Sequence, residues 1–350
     1  MLNDLPNAYN TLKAKQLHTK YKKLVSLQKA ISNFKNGFCV KIDGEVFFAK
    51  QSIESSTLKS ILNKQFIYTQ SYYKYNLQNT NNNLNFDGCV TTSDHLTYKN
   101  SSKNESLATK LAFYASMLPQ VIKCDEDDFI KNIFEPINIS SQDIEDFELD
   151  RYYDLSYLSH ARVQNESSAD TFLYAFQSLF SGETHYAIIV GSPNFAKNVK
   201  VRVHSSCYTG DLMHSLRCDC KYQLHNAIKF LAKQDGGGVI VYLMQEGRGI
   251  GLASKLMAYS YQQNQGLNTI DSNLVLGFES EHRNFYPAKL ILDYFKIKDV
   301  ELITNNPAKV KQLTDLGINV ASSINFHSPQ NQYNKDYIDT KREKMGHENI

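Results

Sequence analysis

The second half of the chain alternates short apolar runs with segments whose apolar residues recur at helical spacing. Strand-like runs occupy residues 185–191, 199–203, 239–244 and 300–304. Helical patterns occupy residues 221–234, 250–265 and 307–316. Strands that alternate with helices predict an α/β or α+β domain, because each sheet face must be covered by a packed layer. The run VIVYLM at 239–244 is nearly all apolar, which is typical of a strand buried on both faces.

The first half of the chain gives weaker patterns. Residues 1–35 are rich in lysine and lack glycine, which predicts a solvated helix or a loose arm. Residues 38–48 alternate like a strand, and residues 106–122 have helical spacing that stops near Pro119. The Asn-rich residues 75–86 predict a surface loop. We therefore expect an α+β domain over residues 36–124.

Acidic residues accumulate between the two halves, from Asp125 to Asp150. Such a run is most often a solvated surface, and a binding site is the alternative. We expect residues 125–154 to be an acidic linker and residues 155–350 to be the second domain.

Composition excludes several classes of protein. A length of 350 residues suits about two domains, and 42% hydrophobic with 21% charged residues excludes a wholly disordered chain. The net charge of +2 provides no overall basic field for a nucleic acid polymer. No apolar run approaches the length of a membrane span, and the start lacks the apolar core of a secretory signal. We therefore expect a cytoplasmic protein.

Three of the six cysteines, Cys207, Cys218 and Cys220, fall within one short window. A disulfide framework is typical of small secreted chains, which this chain does not resemble. Three thiolates suit a catalytic zinc site that leaves the fourth tetrahedral position to water, whereas His204 or His214 as a fourth ligand would make the site structural. A redox pair and ordinary buried thiols are the alternatives.

A glycine-rich turn, QEGRGIG at residues 245–251, follows an apolar strand and opens a helix. Backbone N–H groups at such a helix start can bind an anion, and Arg248 can add a bidentate phosphate contact. The alternative is a simple tight turn between strand and helix. The carboxylate of Glu246 can accept the ring and amino N–H donors of guanine.

Two further polar segments are candidates for chemistry. Lys309 follows a strand and Asn305-Asn306-Pro307, where it can pair with a phosphate or be an exposed lysine in a capping turn. Glu281 and Arg283 lie in a polar loop. They are either a surface ion pair or an acid/base group beside an anion-binding guanidinium.

Taken in order, these segments resemble the GTP cyclohydrolase II family over about residues 155–347. The matching strings are RVHSSCYTGDLMHSLRCDCKYQLHNAI (202–228), YLMQEGRGIGLASKLMAYSYQQNQGLNT (242–269), NLVLGF (273–278), LITNNPAKVKQL (302–313) and DYIDTKREKMGH (336–347). The resemblance implies a mixed-sheet domain and zinc-dependent hydrolysis of GTP, with release of formate and pyrophosphate. The implied product is 2,5-diamino-6-(5-phosphoribosylamino)pyrimidin-4-one, at the first step of riboflavin biosynthesis.

The resemblance also implies roles for individual residues. Cys207, Cys218 and Cys220 match the zinc ligands. Glu281 matches the proton acceptor, Arg283 the arginine that engages the α-phosphate, and Tyr259 a tyrosine near the imidazole ring. Mg²⁺ on the triphosphate and a homodimer are implied as well. The positions that match GTP contacts are Arg202, Val203, His204, Ser205, Ser206, Gln223, Glu246, Gly247, Arg248, Thr269, Thr304 and Lys309.

Three positions depart from the family pattern. Ser206 stands where the family usually has Glu, Glu281 stands where it has Asp, and Asn284 replaces an acid after the arginine. A misplacement of about 1 Å can cost about 10²-fold in rate. The alternatives to full activity are a catalytically weak GTP-binding paralogue that regulates or scaffolds, and a hydrolase with an altered product.

The first half faintly resembles 3,4-dihydroxy-2-butanone 4-phosphate synthase, which is fused ahead of the cyclohydrolase in many bacteria and plants. Residues 42–70, 88–92 and 106–126 carry that resemblance in order. The acidic signature of the synthase is missing, and Asp43-Gly44-Glu45 stands in its region. We expect a degenerate, inactive synthase-like domain, and an unrelated accessory domain is the alternative.

Overall fold

The computed structural model describes residues 11–61, 64–72, 88–92, 99–150, 155–168, 170–178, 182–279 and 281–346. The chain divides into two compact units. Unit 1 comprises Met1–Leu149 with the short segment Leu274–Phe278, and unit 2 comprises Asp150–Asn273 with Glu279–Ile350. The predicted Asn-rich loop at 75–86 lies outside the described residues.

Unit 1 contains a mixed seven-stranded sheet in the order β5-β4-β3-β6-β2-β1-β7. All described neighbours are antiparallel except β1 and β7, which are parallel. The strands are β1 (Val40–Ile42), β2 (Glu45–Ala49), β3 (Gln65–Thr69), β4 (Gly88–Thr92), β5 (Lys99–Asn100), β6 (Gln120–Cys124) and β7 (Ile137–Ile139). The strand predicted at 38–48 is therefore a hairpin, β1 and β2.

The described helices of unit 1 pack with this sheet. They are α1 (Thr11–Lys35), α2 (Ser55–Ser60), α3 (Lys103–Tyr114), α4 (Asp128–Phe134) and α5 (Ser141–Asp150). The described part of the lysine-rich N-terminal segment is the helix α1, whose Leu27 and Phe34 are buried. Helix α3 begins with a capping box between Ser102 and Glu105.

The acidic stretch 125–150 differs from the expected linker. It forms α4, β7 and α5, because Ile130, Ile139 and Ile144 supply buried apolar contacts between its acidic positions. The charges alone predicted a solvated connection, whereas the apolar residues spaced among them allow two short helices and a strand that extends the sheet.

Asp43 and Gly44, in the region of the missing acidic signature, form the two-residue turn between β1 and β2. Both have positive φ, 46° and 92°, which is the geometry of a tight hairpin turn. Glu45 pairs with Lys123, which also lies 3.2 Å from the buried Glu105. These acidic groups therefore have structural partners within the unit.

Unit 2 contains a second mixed seven-stranded sheet, ordered β14-β13-β11-β12-β10-β9-β8. Strands β11 to β14 pair in parallel, and β8, β9, β10 and β12 pair antiparallel. The strands are β8 (Ser156–Arg162), β9 (Thr171–Gln177), β10 (Thr184–Val190), β11 (Val199–Ser205), β12 (Gly238–Leu243), β13 (Asp299–Ile303) and β14 (Asn319–Ile324). The mixed α/β architecture expected for this half is confirmed.

Helices cover both faces of this sheet. The described helices are α6 (Cys220–Ala232), α7 (Leu252–Gln265), α8 (Thr269–Val275), α9 (Tyr286–Tyr294), α10 (Pro307–Asp315) and α11 (Lys335–Met345). Val239 and Val241 of β12 pack in a core cluster with Ile291 of α9. Ile240 packs on the opposite face with Leu231 of α6. Strand β12 is buried on both faces, as its apolar run predicts.

The order of the parallel strands creates a crevice at one sheet edge. The chain passes from β11 to its neighbour β12, and then crosses to β13 on the other side of β11. Ligands of open α/β sheets bind where the strand order reverses, beyond the carboxyl ends of the strands. The segments that follow β11, β12 and β13 carry the residues considered below. Among the described residues, no helix is long and apolar enough to cross a membrane.

Candidate metal and nucleotide site

One cavity in unit 2 brings together nearly all the residues predicted to form a site. Val203 and Glu281 lie outside its lining. The predicted residues that line it are Arg202, His204, Ser205, Ser206, Cys207, Cys218, Cys220, Gln223, Glu246, Gly247, Arg248, Tyr259, Thr269, Arg283, Thr304 and Lys309. They come from β11 and from the turns, loops and helices that follow β11, β12 and β13, because the carboxyl ends of parallel strands share one sheet edge.

The three clustered cysteines converge at this cavity. Their sulfur atoms all lie within 4.8 Å of one another, and the Sγ atoms of Cys207 and Cys218 are 3.8 Å apart. Zn–S bonds of about 2.3 Å at a tetrahedral angle place two sulfurs about 3.8 Å apart. The cluster therefore fits a tetrahedral zinc ion, and it offers three ligands among the residues that the structure describes.

A π-helical turn, Tyr208–Leu212, shapes the cysteine cluster. Gly210 in this turn faces the cluster so closely that a Cβ atom there would lie 2.8 Å from the Cys218 sulfur. The carboxylate of Asp211 accepts a hydrogen bond from the Cys207 backbone N–H at 3.0 Å. Asp211 also accepts from the Tyr242 hydroxyl at 2.9 Å, which ties the turn to β12.

Lys255 is a buried cation beside the cysteine cluster. The sequence motifs did not identify this lysine. Its Nζ lies 3.2 Å from the Cys207 sulfur, 3.0 Å from Thr209 Oγ1 and 2.7 Å from Glu246 Oε1. Contacts with the thiols of Cys218 and Cys220, together with this ammonium, lower the pKa of Cys207 against the effect of burial. A lowered thiol pKa favours the thiolate, which is the form that binds metal.

The two histidines considered as fourth ligands are placed elsewhere. His204 Nε2 lies 3.2 Å from Asp211 Oδ2, and its Nδ1 lies 3.4 Å from Arg202 Nη2. Burial lowers the pKa of His204 against the effect of Asp211. The ring of His214 lies against that of His225, at 6.0 Å between centroids. Neither histidine belongs to the metal-ligating group among the described residues.

Buried cations surround the rest of the cavity. The two terminal nitrogens of Arg248 and the Nε of Arg202 are buried without a hydrogen-bond partner among the residues that the structure describes. Lys309 is buried. Among its described hydrogen bonds, its Nζ donates only to the backbone oxygen of Val203, at 2.8 Å. Burial and the nearby arginines lower the pKa of Lys309 well below its usual value. This surplus of buried positive charge is typical of a site for a polyanion.

The turn after β12 places Arg248 through unusual backbone geometry. Gly247 and Arg248 both adopt left-handed φ, at 64° and 62°. For a non-glycine residue this conformation costs about 1–2 kcal/mol, and it persists only where the surroundings hold it. The strained turn holds in the cavity a guanidinium whose terminal nitrogens have no hydrogen-bond partner within the described part of the chain.

Glu246 is engaged by the protein itself. Its Oε1 accepts from Lys255 and from the Gly247 backbone N–H, and its Oε2 accepts from the Tyr208 backbone N–H. The carboxylate thus ties the glycine-rich turn to the cysteine turn. The guanine contact predicted for Glu246 stays a prediction, since it competes with these bonds.

Glu281 and Arg283 form a bidentate ion pair. Arg283 Nε donates to Glu281 Oε1 at 2.7 Å, and Arg283 Nη2 donates to Oε2. The pair with Arg283 lowers the pKa of Glu281 against the opposing effect of burial, and it raises the pKa of Arg283. Glu281 is therefore a charged partner that orients Arg283 toward the cavity, where the guanidinium is part of the lining.

The remaining predicted residues have defined positions. Thr304 accepts from the Asn306 backbone N–H at 3.1 Å, at the start of α10. Tyr259 lies beneath two cations, with Arg217 and Lys255 centred 5.2 and 5.6 Å from its ring. Gln223 donates to Ser328 Oγ at 2.6 Å. Gln245 donates to Ser205 Oγ at 3.1 Å, and Ser206 Oγ is buried without a partner.

Several lining residues were not singled out from the sequence. Lys255 lies in a helical segment of which only Tyr259 was singled out, and the burial of Lys255 was the missing signal. Asp219, Tyr337 and Lys341 reach the cavity from the cysteine loop and from α11. Asp219 lies between two cysteines, which was the available hint, whereas the place of α11 depends on folding across more than one hundred residues.

Comparison with known proteins agrees with this site. A family model for GTP cyclohydrolase II matches residues 157–325. A GTP cyclohydrolase-2 from Azospirillum brasilense is 39% identical over 69% of this chain and 64% of its own length. A riboflavin biosynthesis protein from Staphylococcus saprophyticus is 45% identical over 58% of this chain and 51% of its own length. This chain thus spans less than two thirds of these two relatives.

A solved two-domain 3,4-dihydroxy-2-butanone 4-phosphate synthase from A. baumannii covers 87% of this chain and 99% of its own, with 11% identity and a TM-score of 0.31. That score is too low to support an argument about fold or function. A GTP cyclohydrolase-2 from Neisseria meningitidis is 42% identical over 55% of this chain, and the match covers 96% of that protein. By this match over nearly a whole relative, the chain belongs to the GTP cyclohydrolase II family.

Proposed function

We propose that unit 2 hydrolyses GTP in riboflavin biosynthesis. The reaction opens the imidazole ring, releases formate and pyrophosphate, and leaves 2,5-diamino-6-(5-phosphoribosylamino)pyrimidin-4-one. The observation that carries this proposal is the juxtaposition, in one cavity, of a three-cysteine cluster and arginine side chains with buried donors that no acceptor among the described residues satisfies. A metal-ligating cluster beside a polyanion site suits hydrolysis of a nucleoside triphosphate. Family membership supports the choice of GTP.

The cations divide into paired and unpaired groups. Arg248 and Arg202 carry donors without partners, and Lys309 has only a backbone oxygen among its described hydrogen-bond partners. We assign these three to the triphosphate, because an anion would satisfy donors that the folded chain leaves buried. Arg283 is already oriented by Glu281, and it is assigned to the α-phosphate, where a preset guanidinium would hold the oxygens as pyrophosphate leaves.

Cys207, Cys218 and Cys220 would hold the zinc ion. A zinc ion with three protein ligands lowers the pKa of its bound water to about 7, which supplies a nucleophile for carbon 8 at neutral pH. Lys255 balances the charge of the thiolates, and Tyr259 presents its hydroxyl beside the same cluster. Ser205, Ser206, Gln223, Thr269 and Thr304 supply polar groups for the base and ribose.

Glu281 is proposed to act through Arg283. As a proton acceptor it would be weak, because its pKa is lowered by the ion pair with Arg283. The carboxylate stays charged near neutral pH and fixes the guanidinium. The Glu281→Asp variant tests this assignment. We expect less than about a tenfold change in kcat, since Asp keeps the charge, and a larger gain would show that the longer side chain restrains turnover.

Mg²⁺ on the triphosphate, a homodimer and a cytoplasmic location complete the proposal. Mg²⁺ binds phosphate oxygens with few protein ligands, so it would enter with the nucleotide. The thiolate cluster needs a reducing compartment to stay reduced. For the dimer, the seven residues of the edge strand β8 are all exposed, which provides a surface for a second copy.

The decisive experiment incubates the purified full chain with GTP, Zn²⁺ and Mg²⁺. Formate and pyrophosphate are measured separately, and the nucleotide product is identified by mass. We expect one formate and one pyrophosphate for each GTP consumed. Tight GTP and zinc binding without release of either product would refute the reaction and favour a binding role. Release of pyrophosphate alone would show an altered product.

A further inference from the structure

Asp219 joins the zinc cysteines to a distant part of the chain. It lies between Cys218 and Cys220, and its side chain is only 2% exposed. Lys341 on α11 donates to Asp219 Oδ1 at 2.6 Å. Ser328 donates to Asp219 Oδ2 at 3.1 Å. Both oxygens of one carboxylate are thus held by residues more than one hundred positions away.

The same network continues to Gln223 on the first turns of α6. Gln223 Nε2 donates to Ser328 Oγ at 2.6 Å, so the serine hydroxyl links the amide to Asp219. Gln223 is buried and lines the cavity. Its orientation therefore depends on Ser328, whose own hydroxyl is oriented by the carboxylate between the cysteines.

Other contacts fasten the segment Ser328–Lys341 to the cysteine loop. Asn331 Nδ2 donates to the backbone oxygen of Leu216 at 3.2 Å, two residues before Cys218. Ile338 on α11 is buried, and Tyr337 lines the cavity with Lys341. Three hydrogen-bonded points thus connect this segment with residues 216–219.

Charge makes the Lys341 contact the strongest of the three. Asp219 is a buried anion between the two cysteines Cys218 and Cys220, which would bind the metal as thiolates. Like charges on neighbouring residues repel strongly where water is excluded. Lys341, 14% exposed, is the ion-pair partner that the structure gives to this carboxylate. Its removal would leave the buried carboxylate without this ion-pair partner and would favour displacement of the segment Cys218–Cys220.

We propose that the C-terminal segment Ser328–Lys341 is a positioning element of the site, and that Lys341 holds the Cys218-Asp219-Cys220 ligand pair and, through Ser328, the cavity amide of Gln223. The expected changes in kcat and KM rest on the proposed function, whereas the expected change in zinc release does not. It makes α11 part of the zinc site without placing any of its residues on the metal. Outer groups that orient metal ligands typically change metal affinity by about 10–100-fold.

The test compares four full-length variants with the unaltered protein. Lys341→Met removes the charge at similar length, and Lys341→Arg keeps it. Lys341→Met with Asp219→Asn removes both charges. Lys311→Met, on an exposed pair with Asp315 on α10, is the matched control. Zinc transfer to a chromophoric chelator is measured first, followed by kcat and KM for GTP.

We expect Lys341→Met to release zinc at least about tenfold faster than the Lys311→Met control, and to lose kcat. The Lys341→Arg variant should have a zinc release rate and a kcat within a few-fold of those of the unaltered protein. The double variant should release zinc more slowly than Lys341→Met, because no unpaired carboxylate remains. Zinc release at the control rate in Lys341→Met would overturn the proposal.

A second variant keeps the test informative if Lys341→Met does not fold. Ser328→Ala leaves the ion pair intact and removes the link to Gln223. We expect KM for GTP to rise about tenfold with little change in zinc release, and an unchanged KM would contradict this part of the proposal. If the unaltered protein forms no product while Lys341→Met still speeds zinc release, the proposed reaction fails and the positioning role stands.

Discussion

Gly210 lies closer to the cysteine cluster than any side chain would allow. A Cβ atom at this position would lie 2.8 Å from the Cys218 sulfur, 2.8 Å from the Cys220 Cβ and 3.0 Å from the Cys207 sulfur. Non-bonded carbon contacts are normally about 3.5–4.0 Å. In a Gly210→Ala variant, the three cysteines or the turn Tyr208–Leu212 would therefore have to move by about 0.5–1.2 Å.

Such a movement is larger than a zinc site tolerates. Ligand distances in metal sites hold to within about 0.2 Å, so the three sulfurs could not keep their tetrahedral arrangement. Overpacking in a dense core typically costs about 1–3 kcal/mol. We expect Gly210→Ala to bind zinc at least about tenfold more weakly and to lose about 10²-fold in kcat, as is typical of a 1 Å misplacement.

The assay measures zinc content after dialysis and zinc competition with a chelator, alongside urea unfolding. Gly317→Ala is the control, since its Cβ would meet nothing within 4 Å, although its φ of +86° makes alanine strained there. The control should lose about 1–2 kcal/mol of stability without losing zinc. If Gly210→Ala retains one zinc per chain with unchanged competition, the reasoning from close contacts is wrong.

Three further predictions concern single side chains. Arg248→Met should raise KM for GTP by about 10–100-fold while leaving stability to urea unchanged or higher, since its terminal nitrogens have no internal partner; a lower stability would contradict this. Lys255→Met should cost about 3–5 kcal/mol in urea unfolding, because it leaves Glu246 unpaired and mostly buried, whereas Lys311→Met should cost less than about 1 kcal/mol. Burial lowers the pKa of His185 to about 4 from its usual 6.5, so the unfolded chain binds the extra proton between these values. Stability should therefore fall by about 3 kcal/mol as pH drops from 6.5 to 4. His185→Gln, which can still accept from the Met244 N–H, should remove that part of the pH dependence.

Much of the unit 2 fold was predictable because local pattern and packing agree there. The apolar run of β12 predicted a strand buried on both faces, and Val241 and Ile240 do pack on opposite faces. The stretch 125–150 was less predictable. Its charges suggested a linker, but Ile139 lies on β7, which pairs with β1 nearly one hundred residues earlier. A strand pairing between residues so far apart in the chain cannot be recognised from the local sequence.

The site shows the same division. The spacing of Cys207, Cys218 and Cys220 favoured a metal centre, with a redox pair or buried thiols as the alternatives. The spacing of residues in the sequence did not predict the hydrogen-bond and ion-pair partners of Glu246 and Glu281. The partners of Glu246 come from the turns after β11 and β12 and from α7, and its carboxylate ties the two turns together. Glu281 pairs with Arg283, which a spacing of two residues permits but does not require.

The α/β alternation and the cysteine window of this chain are predictable from local sequence, because they depend on neighbours along the backbone. Which side chains meet depends on the tertiary fold. The carboxyl ends of β11, β12 and β13 share one sheet edge, so segments a hundred residues apart form one cavity. Lys341 reaches Asp219 across 122 positions for the same reason. Buried charge is paired or left for a ligand according to how elements pack, and packing is a property of the whole fold.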